Sequence, residues 1–444
     1  MILLRDRRRV ARCFWALLIA MGFLPAAQAQ LALPLTLGCG WPFKTTPDTL
    51  NVMYPDANAI YWTTPYIQLA GSSLEIKGNF FPARFLSIST YNSLGESVSS
   101  TYDVNFVLDP GSENPFTNPS ASGGSFHATI IPKSNVPPPN STLFGPPVNQ
   151  SGFVQGYVVI RAYLPFDPNV GQNVLPKITI LFDGHPLKTV APCKNLSSSL
   201  RLLLYNVLVR SWNGNNNPPG ATEPVQLMFR PPTSDQAGGA FPNDYNKYVV
   251  TGMTYQKGVI AVVRGRAATV PKNGSNHYPL VNNGEELRYW SMCNYDHIFP
   301  FPVVTQNGQN ACAADNQAAD NKTALDGDGY YTYMVAAPND VPANAKTDKT
   351  VTLLPWGRTQ FEKALIFRNM LPDQNFTMTT QAANNSCAIS DSDPNAPKTI
   401  EESATCTANI MGPYYPQATY CQKTVYEQGG WQACFQTPVT ARRQ

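Results

Sequence analysis

A chain of 444 residues with 14% charged side chains and a formal charge of only +3 carries no electrostatic footprint for nucleic acid or an anionic bilayer. Its length is enough for two domains of ordinary size. With 40 prolines, 30 glycines, 21 tyrosines and 21 phenylalanines, it suits many short strands joined by turns.

The first 29 residues read as an export signal. Arg5, Arg7, Arg8, Arg9 and Arg12 precede an apolar run at 14–24, and Ala27-Gln28-Ala29 offers a small-residue cleavage site. That run is well short of the roughly 20 residues a membrane-spanning helix needs. Removing the segment takes away five arginines and one aspartate, which changes the formal charge from +3 to −1. The expected compartment is the periplasm or the cell exterior, with no transmembrane anchor after cleavage.

The rest of the chain reads as one module written twice. A strand-like stretch at 83–92, ARFLSISTYN, returns at 287–296 as LRYWSMCNYD, which pairs Arg84 with Arg288, Ser87 with Ser291 and Tyr91 with Tyr295. Upstream, Tyr54-Pro55-Asp56 is echoed by Phe241-Pro242-Asn243, and residues 61 and 74 by 248 and 261, at a constant offset of 187. The second copy then carries 17 extra residues around Asn273, an insertion that loop-closure entropy tolerates cheaply. Downstream, 124–132 (GSFHATIIP) answers 329–338 (GYYTYMVAAP), and 156–165 (GYVVIRAYLP) answers 363–372 (KALIFRNMLP).

Alternation in the 83–92 stretch, Leu86 and Ile88 against Ser87 and Ser89, predicts a half-buried strand. The 156–165 stretch is apolar on both sides, as in a central strand, and its proline ends the ladder. Residues 177–185 predict a strand followed by an Asp183-Gly184 turn. Helical spacing at 199–212 predicts a connecting helix, and a shorter one is expected near 373–383.

The fold expected is therefore mainly β: two tandem antiparallel β-sandwich modules, jelly-roll-like and related by internal duplication, with one connecting helix. The divisions expected are a signal at 1–29, a first module at 30–195, a helix and linker at 196–240, a second module at 241–383 and a Cys-rich tail at 384–444.

Cleavage of the signal leaves eight cysteines: Cys39, Cys193, Cys293, Cys312, Cys387, Cys406, Cys421 and Cys434. An even number in an exported chain implies disulfides, for which 105 connectivities exist. The preferred pairing closes the first module with Cys39–Cys193 and makes three local bridges, Cys293–Cys312, Cys387–Cys406 and Cys421–Cys434. Metal binding is the alternative, but no CxxC or Cys/His cluster supports it.

The W-S-x-x-x-Y-D strand at 290–296 and the R-x-x-L-P strands ending at Pro165 and Pro372 resemble a bacterial exported β-sandwich domain family of unknown function. The resemblance covers both modules. It departs in the first copy at Leu86 and Asn92, and it implies no functional residues.

Residues found in both copies are expected to serve the fold. Arg84, Arg288, Arg161 and Arg368 sit in strands where a buried guanidinium must be paired, so structural ion pairs are expected. The four histidines lie in no metal-binding spacing, and no nucleophile elbow or phosphate-binding loop occurs. No catalytic residue is assigned. The Asp296-His297 pair beside Cys293 invites a catalytic reading, against which a cysteine in this compartment is expected to be oxidised. Asp326 and Asp328 form the one metal candidate, a calcium turn, set against a plain hairpin turn because position 12 from Asp326 is Ala337 rather than Glu. No other cofactor is expected.

The function expected is a non-enzymatic binding or surface-assembly protein of unknown ligand, partner and oligomeric state. The alternative is a secreted hydrolase acting on a glycan or polymer, with carboxylates brought together between the modules.

Overall fold

A computed structural model describes residues 38–93, 95–134, 142–148, 152–167, 174–194, 226–232, 241–281, 283–298 and 301–439. The expected signal at 1–29 and the expected helix at 199–212 lie outside these residues.

The first half holds β1 (Phe43–Thr45), β2 (Ala59–Leu69), β3 (Ser72–Asn79), β4 (Ala83–Asn92), β5 (Ser97–Tyr102), β6 (Val107–Leu108), β7 (Ser125–Pro132), β8 (Thr142–Gly145), β9 (Phe153–Pro165), β10 (Lys177–Phe182) and β11 (His185–Val190). One sheet runs β1-β2-β9-β4-β5; the other runs β11-β10-β3-β7-β6, with β8 beside β7. Trp62, Leu86, Ile88, Val158 and Ile160 of the first sheet pack on Ile76, Phe126, Ile130 and Ile178 of the second, which closes a β-sandwich. The β10–β11 hairpin turns at Asp183 (φ 47°) and Gly184 (φ 79°), both left-handed, as the Asp-Gly pair predicts.

The second half holds β12 (Asn246–Met253), β13 (Val259–Arg266), β14 (Leu287–Asp296), β15 (Thr305–Gln306), β16 (Gln309–Asn310), β17 (Cys312–Ala314), β18 (Tyr330–Ala336), β19 (Val351–Pro355), β20 (Lys363–Pro372) and β21 (Gln417–Gln422). Its sheets run β12-β20-β14-β17 and β19-β18-β13-β21, and Trp290, Met292, Leu365 and Phe367 meet Ala261, Val263, Tyr331 and Tyr333 between them. The order β12-β20-β14 matches β2-β9-β4 of the first half. The β7–β8 pair and the β18–β19 pair are both parallel, so the sheet of each half that contains them is mixed where an all-antiparallel one was expected.

The segment from 384 onward is not a separate tail. Helices α1 (Thr380–Cys387), α2 (Ile400–Met411) and α3 (Lys423–Gln436) flank β21, and β21 pairs along β13 as part of the second sandwich. Met411, Tyr414 and Tyr420 enter that sandwich's core. A capping box starts α2: the Thr399 hydroxyl accepts from the Glu402 N–H, and the Glu402 carboxylate accepts from the Thr399 N–H. The expected helix at 373–383 begins at Thr380, where the Thr379 side chain caps it.

Disulfides join Cys39 to Cys193, Cys293 to Cys312, Cys387 to Cys406 and Cys421 to Cys434. Among the described residues, no helix is long and apolar enough to cross a membrane.

The half-buried strand expected at 83–92 is buried on both faces, as is its echo at 287–296. The β1-β2-β9-β4-β5 sheet of the first sandwich and the β12-β20-β14-β17 sheet of the second stack against each other. Phe85, Tyr163 and Ala59 of one touch Tyr289, Met370 and Ala314 of the other. The polar face that alternation assigns to solvent instead meets a second polar face.

Candidate functional site

This seam between the sandwiches gathers the buried aspartates Asp56, Asp103 and Asp315 and the buried arginines Arg84, Arg161, Arg288 and Arg368. Along β4 the side chains of Phe85, Ser87, Ser89 and Tyr91 face it, and along β14 those of Tyr289, Ser291, Cys293 and Tyr295 do. Residues two apart share a face of a strand. The central strands β9 and β20 add one arginine each, Arg161 opposite Ser87 and Arg368 opposite Ser291.

Among the described residues, two ion pairs cross the seam. Arg84 Nη1 donates to Asp315 Oδ2 at 2.9 Å, and Arg288 Nη2 donates to Asp103 Oδ1 at 2.7 Å. Arg288 Nε also donates to the Arg84 carbonyl. Asp103 and Asp315 are fully buried. Burial pushes both carboxyls above their ordinary range, and the facing guanidinium only partly offsets this.

Arg161 and Arg368 do not form the expected ion pairs among the described residues. Arg161 Nη2 donates to the Phe241 carbonyl at 2.9 Å, and Nη1 to Ser89 Oγ at 3.1 Å. Arg368 Nη2 donates to the Tyr54 carbonyl at 2.9 Å and to the Tyr295 hydroxyl at 2.6 Å. Each guanidinium lies between two tyrosine rings, Tyr61 and Tyr91 for Arg161, Tyr248 and Tyr295 for Arg368. Carbonyl oxygens and ring faces thus take the place of a carboxylate.

Asp56 enters the seam from the Tyr54-Pro55-Asp56 turn. Its Oδ2 accepts from the Tyr289 hydroxyl at 2.9 Å and Ser291 Oγ at 2.7 Å, and its Oδ1 accepts from the Asn58 N–H and Nδ2. Oδ1 also lies 3.4 Å from Cys312 Sγ. Burial first, and the Asp56 charge second, hold the Tyr289 phenol protonated. The Asp56, Cys293 and Cys312 side chains are close enough to share a metal ion. Both sulfurs are spent in the disulfide, and Asp56 is saturated by four donors.

The insertion around Asn273 is a strap rather than a loose loop. Tyr278 is buried in the core of the first sandwich, its ring 5.1 Å from Phe116, and Asn276 Nδ2 donates to the Ala121 carbonyl at 2.7 Å. His277 stacks on Phe166 of the first half.

The calcium turn does not fit a cation. Asp326 Oδ1 accepts the Asp328 and Tyr330 N–H groups, and Oδ2 pairs with Arg264 Nη2 at 2.5 Å. A guanidinium already sits where the ion would bind, and Asp328 is exposed. The arrangement is the hairpin turn into β18.

No catalytic histidine assembles at Cys293. His297 Nδ1 lies 3.1 Å from the Tyr54 hydroxyl, His127 pairs with Asp109, and His185 and His277 are exposed. Among the described residues lining an open polar groove at Asn92, Glu96, Ser97, Lys133 and Ser134, the one carboxylate is Glu96.

Among the described residues, three of the five exposed large apolar side chains lie at one end of the first sandwich, with Phe166 and Phe361 elsewhere. Phe182 is 42% exposed, Leu69 43% and Leu187 69%. They lie at the β2–β3 and β10–β11 hairpins, which the Asp183 N–H ties together through the Gly71 carbonyl. Leu187 falls in a break of the β10–β11 register and has no cross-strand partner. β11 is a sheet edge, but Pro186 offers no N–H, Lys188 is exposed and the ladder is bulged. These features blunt strand addition, so side chains, not backbone, are what this end offers.

Sequence reasoning found the four arginines and all the cysteines but missed Asp56, Asp103, Asp315 and Tyr278. Asp103 and Asp315 each follow the strand that pairs with the repeated one, a placement visible only once β5 and β17 are recognised as counterparts.

No protein-family model matches the chain, and no curated protein matches it. Among solved structures, the chain is similar to an uncharacterised protein from Burkholderia cenocepacia, with 11% identity, a TM-score of 0.48 and coverage of 93% of this chain and 94% of that one. It is also similar to the VPA0106 protein from Vibrio parahaemolyticus, with 12% identity, a TM-score of 0.40 and coverage of 83% and 90%.

Proposed function

We propose that this is an exported binding or surface-assembly protein rather than a hydrolase, built from a duplicated sandwich module. The observation that carries the reading is the state of the carboxylates between the modules. A hydrolase needs two carboxyl groups facing a substrate across a cleft. Asp56, Asp103 and Asp315 are instead fully buried, and every one is engaged by donors. The raised Asp103 and Asp315 carboxyls reflect a closed interior, which is the structural reason for a perturbed pKa rather than the catalytic one.

Four disulfides support an oxidising compartment. The matching strand orders support the duplication. The exposed end formed by Leu69, Phe182 and Leu187 is the surface best suited to a partner, because exposed large apolar side chains gathered in one place mark contact sites.

The test uses the mature chain and a Phe182→Ser/Leu187→Ser variant. Glycan arrays and envelope extracts report binding, and release of reducing ends from polysaccharides reports turnover. Binding without turnover, weakened by the double substitution at unchanged melting temperature, supports the reading. Turnover that disappears in Asp103→Asn or Asp315→Asn would overturn it.

A further inference from the structure

The seam contacts come in exchanged pairs. Arg84 of the first half holds Asp315 of the second, and Arg288 of the second holds Asp103 of the first. Arg161 donates to the Phe241 carbonyl, and Arg368 to the Tyr54 carbonyl. The Tyr91 hydroxyl donates to the Pro242 carbonyl at 2.7 Å, and the Tyr295 hydroxyl to the Pro55 carbonyl at 2.9 Å. In each pair, residue i meets j and the counterpart of j meets the counterpart of i. That is the rule of an isologous two-fold interface between identical subunits, here made within one chain.

The pairing extends to the strand register. Ser89 stands opposite Ser100 on β5 as Cys293 stands opposite Cys312 on β17. No disulfide crosses the seam: Cys39–Cys193 lies in the first half and the other three in the second. Between the halves the covalent connection is the chain through 195–225, whose fully extended length is on the order of 100 Å.

We infer that the seam face of each sandwich is a docking surface for the opposite sandwich of a second copy of this chain. Two chains can exchange halves and form a dimer with two seams, each making the same contacts as the single chain. The inference stands on the seam alone and does not depend on the apolar end of the first sandwich. Covalent linkage of the two halves raises their effective concentration for each other, so the closed monomer dominates in dilute solution. Exchange is favoured where chains are crowded, as on a surface, or where they refold together at high concentration.

A charge reversal split between two chains tests this. Arg84→Glu alone sets two acids face to face inside the seam, and Asp315→Arg alone sets two bases face to face. In an exchanged dimer of the two variants, one seam carries the reversed but complementary pair and the other carries the native Arg84–Asp315 pair. The variants are unfolded and refolded separately and together at high concentration with disulfides intact, and sized by light scattering. The expected result is a dimer of twice the monomer mass from the mixture, absent from either variant alone. In case the variants fail to fold singly, two differently tagged native chains are refolded together and the dimer is captured through both tags in sequence. The inference is overturned if neither mixture yields a dimer containing both chains.

Discussion

Arg84 and Asp315 stand 231 residues apart in the chain and meet at 2.9 Å, both fully enclosed between the two sandwiches. Their counterparts, Arg288 and Asp103, close the same gap from the opposite direction at 2.7 Å. Breaking either pair leaves a buried charge without compensation. Arg84→Met or Arg288→Met is expected to cost about 3–5 kcal/mol, read from the shift in guanidinium chloride midpoint. Arg84→Met combined with Asp315→Leu should recover part of that loss. Equal effects of the two single substitutions are expected from the pairing; a negligible effect of either would show that its pair is idle.

Tyr278 binds the strap of the second half into the core of the first. Truncation of a buried aromatic of this size costs about 3–5 kcal/mol. Calorimetry on Tyr278→Ala should show a lower melting temperature, with the first sandwich destabilised although the substitution lies in the second. A native-like thermogram would mean that the strap rests on the surface without holding it.

The disulfides are expected to rank by the chain they close. Cys39–Cys193 spans 154 residues and Cys293–Cys312 spans 19, which in the chain-entropy account corresponds to about 5 and about 3 kcal/mol. Cys293→Ser/Cys312→Ser should cost less than that 3 kcal/mol value. It reproduces the Ser89/Ser100 pair of the first half, where Ser89 Oγ accepts from Arg161, and gives an acceptor to Arg368 Nη1, a buried donor without one among the described residues. Denaturation midpoints of the two Cys-pair variants check the order. A larger loss from the Cys293/Cys312 replacement would refute it.

Acidification has a defined sign. Asp103 and Asp315 are raised in the folded chain, first by burial and against the pull of their arginines. Folding therefore takes up protons at these sites. Their stabilising contribution is fully present below the unfolded carboxyl value of about 3.9 and is lost as pH rises through the raised folded values. The denaturation midpoint at pH 5 should equal or exceed that at pH 7, and Asp103→Asn/Asp315→Asn should flatten the difference. A midpoint that drops on going from pH 7 to pH 5 would mean that the arginines win over burial.

Much of the fold is legible in the residues because strands advertise themselves locally. Leu86 and Ile88 alternate with Ser87 and Ser89, the Asp183-Gly184 pair makes its turn, and Pro165 and Pro372 end their ladders. The seam is not legible in the same way. Ser87, Ser89 and Tyr91 carry the same pattern whether water or another polar sheet covers them, and only the neighbouring half decides which. Arg161 looks as though it needs a carboxylate because chain order does not reveal that the Phe241 carbonyl will arrive beside it. Of the C-terminal helices, α2 and α3 were not read from the sequence, although Thr399 and Glu402 stand at capping-box spacing. What hid β21 was its isolation in sequence from the sheet that it completes.

The Cys39–Cys193 bond has a mechanical consequence. It ties the two ends of the first sandwich, where the Gly40 N–H also meets the Ala191 carbonyl and the Cys193 N–H the Gly40 carbonyl. Tension entering ahead of Cys39 and leaving beyond Cys193 travels through one covalent bridge and bypasses the strands between them. Those strands carry no load and cannot be peeled apart by a pull along the chain. Under force, extension would have to come from the seam or from the second sandwich, and the first would stay folded as a rigid link until its disulfide broke.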